Sequence, residues 1–197
     1  LADTASLALT SPSVWNLGVA YEYDAQNTLY LNFSYTDWSV VKDLVLKTDV
    51  EVWRDPSDSS KPVEKFVTTT LLNYEDSRYI ALGLERQYDP ITVLRFGLAS
   101  EGGVATDTYR TPRTPDSDRQ ILSLGVGRSF GEYQIDLGFA HYRFKNSRLN
   151  LAGGPPNNKG RGNLSADIKG TANVLMLGVS YTPPVGQEDS SVPLAVR

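Results

Sequence analysis

Along most of the chain, apolar and polar residues alternate one by one, which is the signature of strands with two different faces. After Ser11-Pro12-Ser13, the residues Trp15, Leu17, Val19, Tyr21 and Tyr23 fall on one face, and Asn16, Gly18, Ala20 and Glu22 on the other. Leu29, Leu31, Phe33 and Tyr35 then alternate with Tyr30, Asn32, Ser34 and Thr36. The phase breaks near Trp38–Asp43, either at a bulge in one long strand or at a turn between two. Leu44, Leu46, Thr48 and Val50 resume it. Further strands are predicted over 78–87, 91–100, 119–130, 133–140 with an extension towards Leu149, and 172–182. The most regular lies behind the polar turn Pro115–Arg119, where Leu122, Leu124 and Val126 oppose Ser123, Gly125 and Gly127. Residues 4–10, ahead of Pro12, read as a further short strand.

The connections alternate in length. Asp24–Asn27, Tyr88-Asp89-Pro90 and Gly131-Glu132 are tight turns, whereas 54–76, 101–117 and 151–170 read as long polar loops. Short turns at one end and long loops at the other are the habit of outer-membrane barrels, whose apolar faces point to lipid and whose polar or small faces point to a lumen. The expected fold is therefore all-β, an antiparallel transmembrane β-barrel. Residues 1–182 carry its seven or eight strands, with short periplasmic turns and long external loops. Residues 183–197 have no strand pattern and read as a periplasmic or disordered tail.

Composition narrows the alternatives. Among 197 residues there is no Cys, so no disulfide framework and no thiolate metal site is available. The formal charge is −4, which argues against a nucleic-acid partner. Eleven Tyr dominate the aromatic residues and suit barrel walls and interfaces. Trp15 and Trp53 are candidate interface anchors. Apolar runs such as Val174–Gly178 are far short of the ~20 residues a transmembrane helix needs. The mean hydropathy of −0.30 fits a soluble protein and equally a barrel with a polar interior. The sequence opens at Leu1, as a processed product or a fragment would.

The polar faces hold the candidate chemistry. Glu22, Asn32, Glu85, Arg95, Arg119, Ser123 and Asp136 are expected to face the lumen, where carboxylates and guanidinium groups can pair; in a soluble sandwich they would be a wet outer face. Asp116, Asp118 and Arg119 could bind a cation or a headgroup. Their plainer role is to fix the turn into the next strand, through bonds to backbone and between Asp118 and Arg119. Asp55-Pro-Ser-Asp58 lacks the spacing of a calcium loop. His141 is the one His and has no nucleophile motif beside it. No catalytic residue, metal or cofactor is expected.

From about residue 4 to 182 the chain resembles the C-terminal half of outer-membrane long-chain fatty-acid transporters of the FadL type. The matching stretches are Pro12-Ser13-Val14-Trp15, Tyr35-Thr-Asp-Trp38-Ser39, Ser77-Arg-Tyr-Ile-Ala-Leu-Gly83, Leu94-Arg95-Phe-Gly97 and, most specific, Pro115-Asp-Ser-Asp118-Arg119 before Leu122-Ser-Leu-Gly125. The resemblance implies an outer-membrane barrel passing fatty acids or other hydrophobic molecules, with outer-membrane lipids and lipopolysaccharide around it. It also implies an N-terminal plug and early strands that do not match here. They carry much of the family's ligand binding, so no ligand residue is transferred. The family ends on a strand-final aromatic, whereas Tyr181 is followed by Thr182–Arg197. An odd strand count departs from the even rule, so either 4–10 supplies an eighth strand or another chain completes the barrel. Three roles stay open: a channel for apolar molecules, a half-barrel subunit without transport of its own, and a soluble β-barrel lipid binder.

Overall fold

The computed structural model describes residues 4–53, 64–151 and 163–183. Seven strands make the main sheet: β2 (Val14–Glu22), β3 (Asn27–Thr36), β6 (Ser77–Asp89), β7 (Thr92–Glu101), β8 (Arg119–Phe130), β9 (Tyr133–Phe144) and β12 (Thr171–Tyr181). Their order is β12-β9-β8-β7-β6-β3-β2, and each neighbouring pair is antiparallel. β12 and β2 do not pair with one another, so this sheet is an open stretch of barrel wall.

The short turns have local causes. The Asp24 carboxylate accepts the Gln26 and Asn27 amides, each at 2.8 Å, and closes β2 onto β3. Asp89 accepts the Ile91 amide at 2.9 Å between β6 and β7. Gly131, at φ +62°, supplies the left-handed residue between β8 and β9 that other residues adopt at a cost.

The other end is more structured than its polar sequence suggests. A single 3-10 turn, Trp38–Val40, follows β3 and settles the phase break as a turn. Beyond it β4 (Asp43–Trp53) leaves the main sheet and pairs with β1 (Ala5–Ala8) and β5 (Glu64–Leu71). Residues 4–10 therefore add no eighth strand to the main sheet, because β1 pairs with β4 in a separate sheet. The expected 54–76 loop contains β5. The expected 151–170 loop contains β11 (Ser165–Ile168), which pairs with β10 (Ser147–Asn150). β9 stops at Phe144, so the run towards Leu149 is two strands. The Trp53 side chain, the Asp55–Asp58 stretch, residues 152–162 of the third loop and the tail from 184 lie outside the described residues.

Burial is inverted relative to a water-soluble domain. Among the described residues the buried apolar side chains are Val41, Leu72, Ala105, Leu149 and Leu151 in the long connections, and Ala140 in the sheet. The alternating apolar side chains of the sheet are exposed, from Trp15 at 72% on β2 to Leu175 at 84% on β12. Exposed apolar surface on this scale needs an apolar environment to cover it. No helix among the described residues is long and apolar enough to cross a membrane.

Candidate functional site

The cross-strand register puts Glu85, Arg95, Ser123 and Asp136 on one face, opposite Leu84, Phe96, Leu124 and Leu137. Arg95 faces Glu85 across the β6–β7 pair, and its Nε donates to Glu85 Oε2 at 2.7 Å. Its Nη1 reaches past β8 to Asp136 Oδ1 on β9, also at 2.7 Å. Gly125 and Gly127 on β8 leave that path open. A Cβ on Gly127 would collide with Asp136 Oδ1 and lie 3.1 Å from Arg95 Nη1. Gln134 Nε2 adds bonds to both Asp136 oxygens, at 3.1 and 2.9 Å. One guanidinium thus bridges two carboxylates over four strands, leaving a net charge of −1 on the triad.

Beside this triad the same face is made of small and apolar groups. A trough of about 580 Å³ runs past Tyr30, Ala81, Gly97, Gly138 and Met176. Met176 lies over Gly138, where a Cβ would come within 3.1 Å of the Met methyl. Between the paired charges this face is therefore mostly small and uncharged.

Arg119 belongs to a second cluster at the long-connection end. It grips Glu101 with two nitrogens, at 2.6 and 2.9 Å, and Asp116 with a third contact at 3.0 Å. Asp116 also accepts the Val104 amide at 2.6 Å. Asp118 accepts the Gly103 amide at 3.0 Å and pairs with Lys145 at 3.1 Å. Arg119 and Asp118 therefore pair with different partners rather than with each other. The buried Arg110 donates to the Asp116 and Ala105 carbonyls at 2.9 and 2.6 Å. The Glu75 amide donates to the Val104 carbonyl at 2.9 Å and ties this connection to the one before β6.

The remaining expected positions stand apart. Glu22 is on β2 opposite Thr28, exposed near the sheet edge. Asn32 shares a row with Gly18 and Ala81. His141 points to the apolar face, where its Nδ1 bonds Asn173 Oδ1 at 2.8 Å. Among the described residues no group of His, Asp and Glu side chains is placed to hold a metal ion. The pattern gave no sign of Gln134, Glu101 or Lys145, since their roles depend on register. Nor did it mark Asp76, which accepts the Tyr35 hydroxyl at 2.6 Å and the Ser39 amide at 2.9 Å.

The Tyr35 hydroxyl holds the Asp76 carboxyl below its ordinary value of 3.8, and the Gly103 amide, aided by Lys145, does the same for Asp118. A depressed carboxylate stabilises the fold above the ordinary value and loses that contribution as pH falls through the lower folded value. Exchange protection of the Ser39 and Gly103 amides, corrected for intrinsic rates, is expected to fall only at pH below 3.8. Protection that instead fades between neutral pH and that value would refute the assignment.

An open antiparallel sheet with an exposed apolar face, a face of small and paired charged residues, and connections long at one end defines the wall of a transmembrane β-barrel. The chain belongs to the family of outer membrane protein transport proteins (OMPP1/FadL/TodX), whose profile matches residues 2–182. It is 28% identical over 161 residues to the 47 kDa outer membrane protein of Pasteurella multocida (strain Pm70), covering 81% of this chain and 34% of that protein. It is 27% identical over 137 residues to the long-chain fatty acid transport protein of Escherichia coli O6:H1, covering 69% and 28%. The crystal structure of a Pseudomonas aeruginosa FadL homologue superimposes with a TM-score of 0.75 at 23% identity, over 90% of this chain and 37% of that one. The chain thus spans about a third of the length of each of these relatives.

Proposed function

We propose that the chain forms part of the wall of an outer-membrane barrel that takes up hydrophobic molecules of the long-chain fatty-acid type. Its apolar face contacts outer-membrane lipid. The face bearing Glu85, Arg95, Arg119, Ser123 and Asp136 lines the lumen, with Glu22 and Asn32 towards one edge. The observation that carries this reading is the exposed apolar face of the sheet, with small residues and paired charges on the opposite face, together with membership of a transport family. Further strands, from sequence beyond these residues or from another chain, complete the barrel at β2 and β12. Bare strand edges in hydrocarbon cost several kcal/mol per unsatisfied group.

The trough beside Arg95 suits an alkyl chain because its floor is small and uncharged. One sheet, however, covers one side of such a ligand, whereas binding sites enclose most of a ligand's surface. Arg95 is committed to two carboxylates and leaves no free cation for a ligand headgroup. The 197-residue chain folded in detergent is therefore expected to bind a fluorescent fatty acid weakly and without saturation, while the assembled barrel binds it stoichiometrically. Tight, saturable binding by the chain itself would place the whole site on these strands and overturn the wall-only role. Folding and solubility without detergent would overturn the membrane reading.

A further inference from the structure

On the apolar face, the external end of β7 to β9 is not uniformly apolar. Arg143 on β9 pairs in register with Gln120 on β8, and Gln120 with Ser100 on β7. These outward side chains form a polar row where the aliphatic band would otherwise continue. His141 on β9 opposes Leu122 on β8 one row further along, with its ring held by Asn173 of β12. Among the described residues Arg143 forms no ion pair, as holds for several other arginines, and it stands within the polar row on the outward face.

Three depressions follow one another along β8 and β9. The outermost is polar and is lined by the row Ser100, Gln120 and Arg143 with Asp118, Lys145 and Asn146, and by Arg119, which is held by Glu101 and Asp116. The second, of about 580 Å³, has that row, ended by Ile80 on β6, on one side and Leu82, Leu98, Leu122 and His141 on the other. The third, of about 530 Å³, is apolar and lies between Leu124, Val126, Leu137, Phe139, Leu175 and Leu177. From Arg143 to Leu137 the strand runs about 20 Å. At a barrel tilt of about 35–45° that spans about 15 Å of depth, roughly one leaflet of the hydrocarbon core.

We propose that this tract is a lipid site on the outside of the barrel, and that its occupant is a phosphorylated, acylated glycolipid of the external leaflet. The inference rests on the membrane reading given above. Each part of the tract meets one part of that molecule. The unpaired Arg143 takes a phosphate, since a guanidinium without a carboxylate partner binds phosphate with several donors at once. Gln120, Ser100 and Asn146 offer amide and hydroxyl groups to sugar hydroxyls. The apolar grooves below take acyl chains. The long connections put the polar end in the external leaflet, where the glycolipid resides, and not in the inner leaflet of glycerophospholipid.

The test uses the assembled protein extracted from outer membranes in mild detergent, with co-purifying lipid quantified by mass spectrometry and by total phosphate. Arg143→Ala is expected to reduce retained phosphorylated glycolipid about tenfold, as the loss of one charge-assisted contact implies. Arg143→Lys retains most of it. Arg128→Ala, which removes an outward arginine from the opposite end of β8, leaves it unchanged. Gln120→Leu reduces it less than Arg143→Ala does and gives the reading if that variant does not assemble. Equal glycolipid in every variant, no glycolipid in the unaltered protein, or glycerophospholipid in its place overturns the proposal while the barrel stands. A protein that needs no detergent overturns the membrane reading as well.

Discussion

Leu124→Arg is expected to destabilise the membrane-inserted protein by about 2–4 kcal/mol, the depth-dependent range for a cation on a barrel's lipid face near the midplane. Leu124 sits in the middle of β8 with Phe96 and Phe139 beside it in register, and its side chain is 51% exposed. The opposite face of the same strand is the internal control. Ser123 lies between Gly97 and Ala140, and its hydroxyl fills the space a Cβ on Gly97 would occupy. An arginine at 123 would project along that small-residue lane towards a water-accessible interior, so Ser123→Arg costs much less. Denaturant unfolding in lipid vesicles measures both. Equal costs, or the larger cost at 123, would overturn the assignment of the apolar face to lipid.

The sequence makes the main sheet legible because each strand of it carries its own record. The alternation of Ile80, Leu82 and Leu84 with Ala81, Gly83 and Glu85 reports two environments and needs no partner to be read. The turn residues Asp24, Asp89 and Gly131 are equally local. β5 escaped because Glu64–Leu71, with its Thr68-Thr69-Thr70 run, has no apolar face; it is a strand because β4 pairs with it along the backbone. β1 looked like a strand of the barrel because sequence position suggests neighbours, yet its partner is β4. The clusters were half legible for the same reason. Periodicity put Glu85, Arg95 and Asp136 on one face, but that Arg95 spans β8 to reach Asp136 follows from register and from the glycines it crosses. The pairing of Arg119 with Glu101 and Asp116, instead of Asp118, likewise depends on how the 102–118 connection folds back.

Arg95→Leu is expected to lower stability by about 2 kcal/mol. Hydrogen bonds to charged groups contribute about 1.5–3 kcal/mol each when shielded from water, and each is discounted to about 1 kcal/mol here because the three side chains keep about a third of their surface exposed. The variant loses both bonds and leaves Glu85 and Asp136 as like charges on one face. Two further variants separate those effects. Arg95→Leu combined with Asp136→Asn removes the repulsion and is expected to recover about 1 kcal/mol. Gly127→Ala keeps every charge and inserts a methyl where Asp136 Oδ1 now lies, 3.1 Å from Arg95 Nη1. It is expected to push Asp136 off the guanidinium and cost about 1 kcal/mol, in the lower part of the range for overpacking. If Arg95→Leu is neutral and Gly127→Ala is not, the glycine serves the backbone alone and the triad is an incidental surface pair. If both are costly and their double variant costs no more than Arg95→Leu, the two act on one interaction, and β8 is narrow at that point so that one arginine can cross it.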